Sequence, residues 1–165
     1  MRKKRSVPPS SAGSGDGSPW VSASLPEPER IVGLGFRYGT EGWKSRDIAP
    51  WSRAWQLYYG LFGHLGACEA VGRLSSWVDA LNRASAREIE VLPWDSRGFC
   101  RDECIAVAMI AACQNDSCPA VRACALALSE SSLLDGLVEA QAFADLLMSL
   151  DQVLSRDLIP SAAFS

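Results

Sequence analysis

The chain has 165 residues, 48% of them hydrophobic and 8% aromatic, which is enough for one packed core and short for two. Its formal net charge is −3, and because Arg2, Lys3, Lys4 and Arg5 sit at the extreme N-terminus, the rest carries −7; an acidic body is not expected to bind nucleic acid or anionic lipid through general electrostatics. No window approaches the roughly 18 consecutive apolar residues of a membrane helix, and the basic start runs into Pro, Ser and Gly instead of the apolar stretch of a secretory leader. The expectation is a cytoplasmic protein whose six cysteines are thiols or metal ligands, not a disulfide framework.

Residues 1–29 are rich in Ser, Gly and Pro and poor in large apolar side chains, a composition that cannot bury enough surface to offset its ordering entropy. They are expected to form a disordered tail, with the basic run either a weak targeting patch or a solvated terminus. Residues 30–46 mix apolar residues with Gly33, Gly35, Gly39 and Gly42 and show no helical period. A dinucleotide fingerprint would need a strand before these glycines and a helix opening on the last of them, in a βαβ unit. The segment reads instead as an arm whose Ile31, Leu34, Phe36 and Trp43 pack onto the helices.

Residues 47–160 read as the helical domain. Asp47 with Pro50 close behind marks a helix start. Trp51, Trp55, Tyr58, Phe62 and Leu65 follow at spacings of four, three, four and three, which places them on one face at about 100° per residue. That face is expected to be core, with a kink near Gly63 to Gly66 before the pattern resumes through Val71, Leu74, Trp77, Val78 and Leu81. Ile89 and Val91 alternate with glutamates before Pro93, the pattern of a short extended crossover. Asp95 and Ser96 are candidate caps for the next helix. From Cys104 to Cys113 every residue is apolar or small, which predicts a central helix buried on all sides. A polar turn at Gln114 to Ser117 leads to a short helix through Leu128, and Ser132 with Asp135 resembles a capping box for a last long helix running through Val153 to Pro160. The fold class is therefore all-α, a compact bundle of four to six helices with a disordered N-terminal tail.

Five of the six cysteines fall between Cys100 and Cys124. Cys104 and Cys113, nine residues apart on one helix, face opposite sides, and the spacing matches neither zinc ribbons nor ferredoxin runs. Cys113 and Cys124 read as small core residues. A sharper set is possible: His64 with Cys68 and Cys100 with Cys104 are both i, i+4 pairs, and if they faced each other across the bundle they would offer zinc a Cys3His site. Redox thiols are a further option, since Cys100 and Cys118 lie near presumed helix starts, where Arg97 and Arg101 would assist Cys100 while Asp102 and Glu103 oppose it. Catalysis is not expected. One histidine excludes every site that needs two, no nucleophile elbow or phosphate-binding loop is present, and a Cys–His hydrolase would lack a residue to orient its base.

The leading expectation is a regulator or adaptor that acts by binding an unidentified protein partner, with Trp20 and Trp43, outside the predicted helices, as contact residues. The alternative is a metal-binding or thiol-redox sensor built on His64, Cys68, Cys100 and Cys104. Limited proteolysis of the purified chain should remove roughly the first 25 to 30 residues and leave a stable helical core; a tail that resists cleavage would count against its disorder.

Overall fold

A computed structural model of the chain describes residue 25, residues 27–130 and residues 134–159. The expected tail, including Trp20, and the Ser132 capping position lie outside the described residues. Five α-helices and a 3-10 turn follow one another: α1 (Glu29–Ser45), α2 (Ile48–Ala84), α3 (Arg101–Gln114), α4 (Cys118–Ser129), α5 (Leu134–Ser149) and the turn at Arg156–Leu158. Helices α1, α2, α5 and α3 form a four-sided bundle in which each touches its two neighbours, so α1 and α5 make one diagonal and α2 and α3 the other; α4 lies against α3 and reaches α2 and α5. Trp77 fills the middle, stacked on Phe143 of α5 at 5.6 Å and tilted against Phe36 of α1 at 5.3 Å.

The segment expected to be an irregular arm is helix α1, and that is a correction. Its hidden face is built from glycine where a leucine would ordinarily reveal the period. Ile31, Val32 and Phe36 are fully buried, and Gly35, Gly39 and Gly42 occupy the remaining core positions at spacings of four and three. A β-carbon on Gly35 would collide with the Tyr58 hydroxyl, and one on Gly42 would lie 2.8 Å from Trp51 Cδ1. The helix pays the backbone-entropy penalty of glycine in exchange for a close approach of α1 to the two aromatic rings of α2.

α2 opens where expected: Asp47 accepts a hydrogen bond from the Ala49 N–H at 3.2 Å, and Pro50 is buried in the first turn. It breaks at Gly63, whose φ of 73° and ψ of −172° fall in a region open only to glycine. Of the predicted core stripe, Tyr58 is buried, Trp51, Trp55 and Phe62 are half-buried, and Leu65, beyond the break, is 80% exposed. Leu65 drops out of the stripe because the kink interrupts the angular register on which the stripe depends.

The crossover between α2 and α3 is extended and carries Ile89 and Phe99 into the core. Two consecutive acids at the start of α3 hold it. Glu103, fully buried, takes Arg37 Nε at 2.7 Å and Nη2 at 3.0 Å, and also accepts the N–H groups of Leu92 at 3.1 Å and Cys100 at 2.8 Å. Arg37, equally buried, spends its remaining donors on the carbonyls of Ser96 and Gly98 and lies over the Phe99 ring. Asp102 pairs in two-pronged fashion with Arg87 at 2.7 and 2.8 Å and accepts the Glu90 N–H. Arg37 claims the Ser96 carbonyl and Phe99 turns inward, so α3 starts at Arg101 with Cys100 as its cap; Asp95 and Ser96 do not cap it.

From Ile105 to Cys113 every residue of α3 is buried, as its lack of a polar face predicts. α3 and α5 both end in a Schellman arrangement, with Asp116 and Asp151 in the left-handed conformation and the N–H groups of Ser117 and Gln152 bonded to Ala112 O and Leu147 O. α5 therefore stops at Ser149 and does not continue through Val153. The chain beyond it is held by side chains: Gln114 donates to Gln152 O at 2.9 Å and accepts from Leu154 N at 2.8 Å, and buried Glu29 accepts the Ser155 N–H at 2.6 Å.

The buried Arg37–Glu103 pair should be strongly coupled. Arg37→Met strands a buried carboxylate and should cost about 3–5 kcal/mol in chemical denaturation. The Arg37→Met/Glu103→Leu variant should lose much less than the sum of its two single changes, since either one already breaks the pair. Additive losses would show that the two side chains act independently.

Candidate functional site at the α2 kink

The first half of α2 carries more apolar surface than the bundle covers. Ala54 and Tyr58 point inward, while Ile48, Trp55 and Tyr59, at positions i, i+7 and i+11, form a second row beside them. Ile48 is 75% and Tyr59 53% exposed. Trp55 lies 6.2 Å from the Tyr59 ring and 5.6 Å, edge to face, from the ring of His64, so the row crosses the kink to His64; the next residue, Leu65, is exposed as well. A β-carbon at Gly60 or Gly63 would meet nothing within 4 Å; the protein's own described residues leave this side of the kink open. At Gly66 a β-carbon would strike Phe62, which folds back over it. Sequence reasoning missed Ile48 and Tyr59. The signal was an apolar arc wider than one packing face needs, hidden because the stripe was read as a single line of core positions.

The residues singled out from sequence separate. His64 Nε2 and Cys68 Sγ are 3.9 Å apart, both on the exposed side of α2. Cys100 and Cys104 belong to the start of α3, the helix diagonally opposite, so the four are not brought together. Among the described residues no three His, Cys, Asp or Glu side chains are grouped to hold a metal ion. Trp43 is half-buried against the core, and its indole donates to Asp79 Oδ1 at 3.0 Å. The Arg83 hydrogen bond, with the Trp43 indole adding to it, holds the Asp79 carboxyl below the usual carboxylate range.

The thiols divide by burial. Cys113 and Cys124 are buried in the core, and burial pushes them up to about 12 and about 11. The helix start was expected to lower the Cys100 thiol pKa. Instead partial burial, with the charges of Glu103 and Asp102 adding to it against two backbone hydrogen bonds, pushes it up to about 11, and its Sγ faces the Glu90 carbonyl at 3.4 Å. Cys68 and Cys118 are exposed. Cys68 also edges an open cleft of about 600 Å³ between α2 and α5, with Glu69, Arg73, Ser76 and Asp145 around it.

No protein-family model, curated protein or solved structure matches the chain. Among the described residues no helix is long and apolar enough to cross a membrane.

At pH 8 a thiol reagent should label Cys68 and Cys118 fast, partly exposed Cys100 more slowly because its thiol is held protonated, and Cys113 and Cys124 only as fast as the fold opens. The three raised thiols favour the folded state below their unfolded pKa, about 8.5. Their contribution is lost as pH climbs from there toward 11 to 12, so the melting temperature should fall above about pH 9. Peptide mapping of labelled cysteines checks the first expectation and a pH series of thermal melts the second.

Proposed function

We propose that the protein works by binding another protein through the open aromatic face at the α2 kink, as a regulator or adaptor. The observation that carries this reading is the exposed apolar and aromatic surface of Ile48, Tyr59, His64 and Leu65 around half-buried Trp55, whose ring touches those of Tyr59 and His64. Contiguous exposed apolar surface is costly to keep in water and marks interaction sites more often than scattered single residues do. Aromatic side chains supply much of the energy at such sites. The acidic body supports a protein partner over nucleic acid or anionic lipid. Trp43 is a weaker contact candidate than Tyr59, because its indole N–H is already satisfied by Asp79.

The alternative, a metal or thiol sensor, is supported by the His64–Cys68 pair alone, with Cys100 and Cys104 on the helix diagonally across the bundle.

A photo-crosslinking phenylalanine analogue in place of Tyr59, in the native cell, should trap a discrete protein adduct that the same analogue at exposed Arg122 on α4 does not. Leu65→Asp introduced beside it should abolish the adduct while changing stability by no more than about 0.5 kcal/mol, as befits a surface site. Identical adducts from positions 59 and 122, or an adduct indifferent to Leu65→Asp, would overturn the reading.

A further inference from the structure

We infer that His64 and Cys68 are half of a binding site for a soft divalent ion of the zinc class, and that the same two residues of a second copy of this chain complete it across a two-fold axis. The inference rests on reading the kink face as an interface, and it names one occupant for it.

The argument begins with the span of the pair. A tetrahedral zinc with Zn–N near 2.0–2.1 Å and Zn–S near 2.3 Å holds its nitrogen and sulfur about 3.6 Å apart. His64 Nε2 and Cys68 Sγ stand at 3.9 Å with no ion between them, so a small side-chain adjustment closes the bite. The His64 ring is braced edge to face by Trp55, which keeps Nε2 turned along the helix toward Cys68, the orienting part that outer groups play around metal ligands. Imidazole and thiolate together suit zinc over calcium or magnesium, which take oxygen ligands.

One chain supplies only these two ligands, since among the described residues no third His, Cys, Asp or Glu joins them. A structural zinc takes four. An isologous two-fold contact repeats the same patch from both sides, so two copies give His2Cys2 with no further residue. The surroundings allow the approach: both ligands are exposed, no atom of the described residues stands within 4 Å of a β-carbon at Gly63, and Leu65, 80% exposed between the ligands in sequence, would be covered by the partner. On binding, each Cys68 gives up its thiol proton to solvent and coordinates as thiolate; no electron is transferred.

The test uses the full-length purified chain, stripped of metal and kept reduced, titrated with zinc chloride in sedimentation velocity. The expected result is a monomer that becomes a dimer, saturating at one zinc per two chains. Cobalt(II) in place of zinc should give the visible d–d bands of a tetrahedral site with sulfur-to-cobalt charge transfer. His64→Ala and Cys68→Ser should each abolish dimer and spectrum at concentrations where the wild type is fully dimeric, while Cys118→Ser keeps both. Unchanged circular dichroism would show that the exposed substitutions leave the fold intact. Metal bound at one per chain without dimerisation, a dimer that survives His64→Ala, one lost in Cys118→Ser, or no zinc uptake at micromolar concentration would each overturn the inference. Because only this chain and the metal are present, such a failure leaves the cellular crosslink from position 59 standing, and the two readings fail separately.

Discussion

Arg37 and Glu103 bring a full positive and a full negative charge into the dry interior 66 positions apart in sequence, and the order of the bundle follows from how they are satisfied. Desolvating two ions is favourable only where nearly every donor and acceptor finds a partner. Here the guanidinium reaches a carboxylate and two carbonyls, and the carboxylate adds two backbone N–H groups to its arginine. These partners all lie in the crossover or at the start of α3. One interaction therefore fixes α1 against α3, shapes the residues from Leu92 to Cys100, and sets where α3 begins. Asp102 repeats the arrangement one residue earlier, tying the start of the crossover through Arg87, which also donates to Ala127 O of α4. A 16-residue connection without regular structure is held by two neighbouring carboxylates.

The second constraint is steric. The α1–α2 contact is the most extensive in the bundle, and it is made by glycine meeting aromatic rings. Tyr58 illustrates the cost. Its hydroxyl is fully buried over Gly35 without a hydrogen-bond partner among the described residues, and burial pushes its pKa well above the ordinary tyrosine value. A phenylalanine would avoid leaving a polar atom unpaired. The packing here is dominated by ring area, and the stranded hydroxyl is carried with it.

This pairing of glycine and aromatics also explains what could be read from the sequence. Where the core is made of Leu, Val, Ile and Ala, as in the second half of α2 and throughout α3, periodicity and its absence were enough, and the kink was visible in the cluster of Gly60, Gly63 and Gly66. α1 was illegible because glycine stands at its core positions, so a hydrophobicity pattern records gaps where the structure has its tightest contacts. The cap of α3 was missed because Ser96 looks like a cap residue locally, and its carbonyl is committed to an arginine 59 positions away. For the site, the i, i+4 nearness of His64 and Cys68 was legible because it is set within one helix. Its separation from Cys100 and Cys104 was not, because which helices share a diagonal depends on the order of packing, which spacing does not encode.

The distribution of polarity in the finished fold is partly inverted, and the two halves of that inversion have different standing. Arg37, Glu103, Asp102 and Glu29 are inside, and each has a partner that accounts for it. Ile48, Tyr59 and Leu65 are outside, each forgoing part of the roughly 1.5–3 kcal/mol that burying a large apolar side chain returns. A single exposed leucine needs no explanation. Ile48 and Tyr59 on one helix side, with Tyr59 joined through the Trp55 ring to an exposed imidazole–thiol pair at a glycine hinge, are a different kind of observation. Nothing in the bundle requires Tyr59 or Leu65 to be apolar, since serine or glutamate there would leave every described core contact intact. The buried charges are explained by the fold they hold together. The exposed row finds no such explanation within the fold, and that asymmetry favours a contact with something outside it.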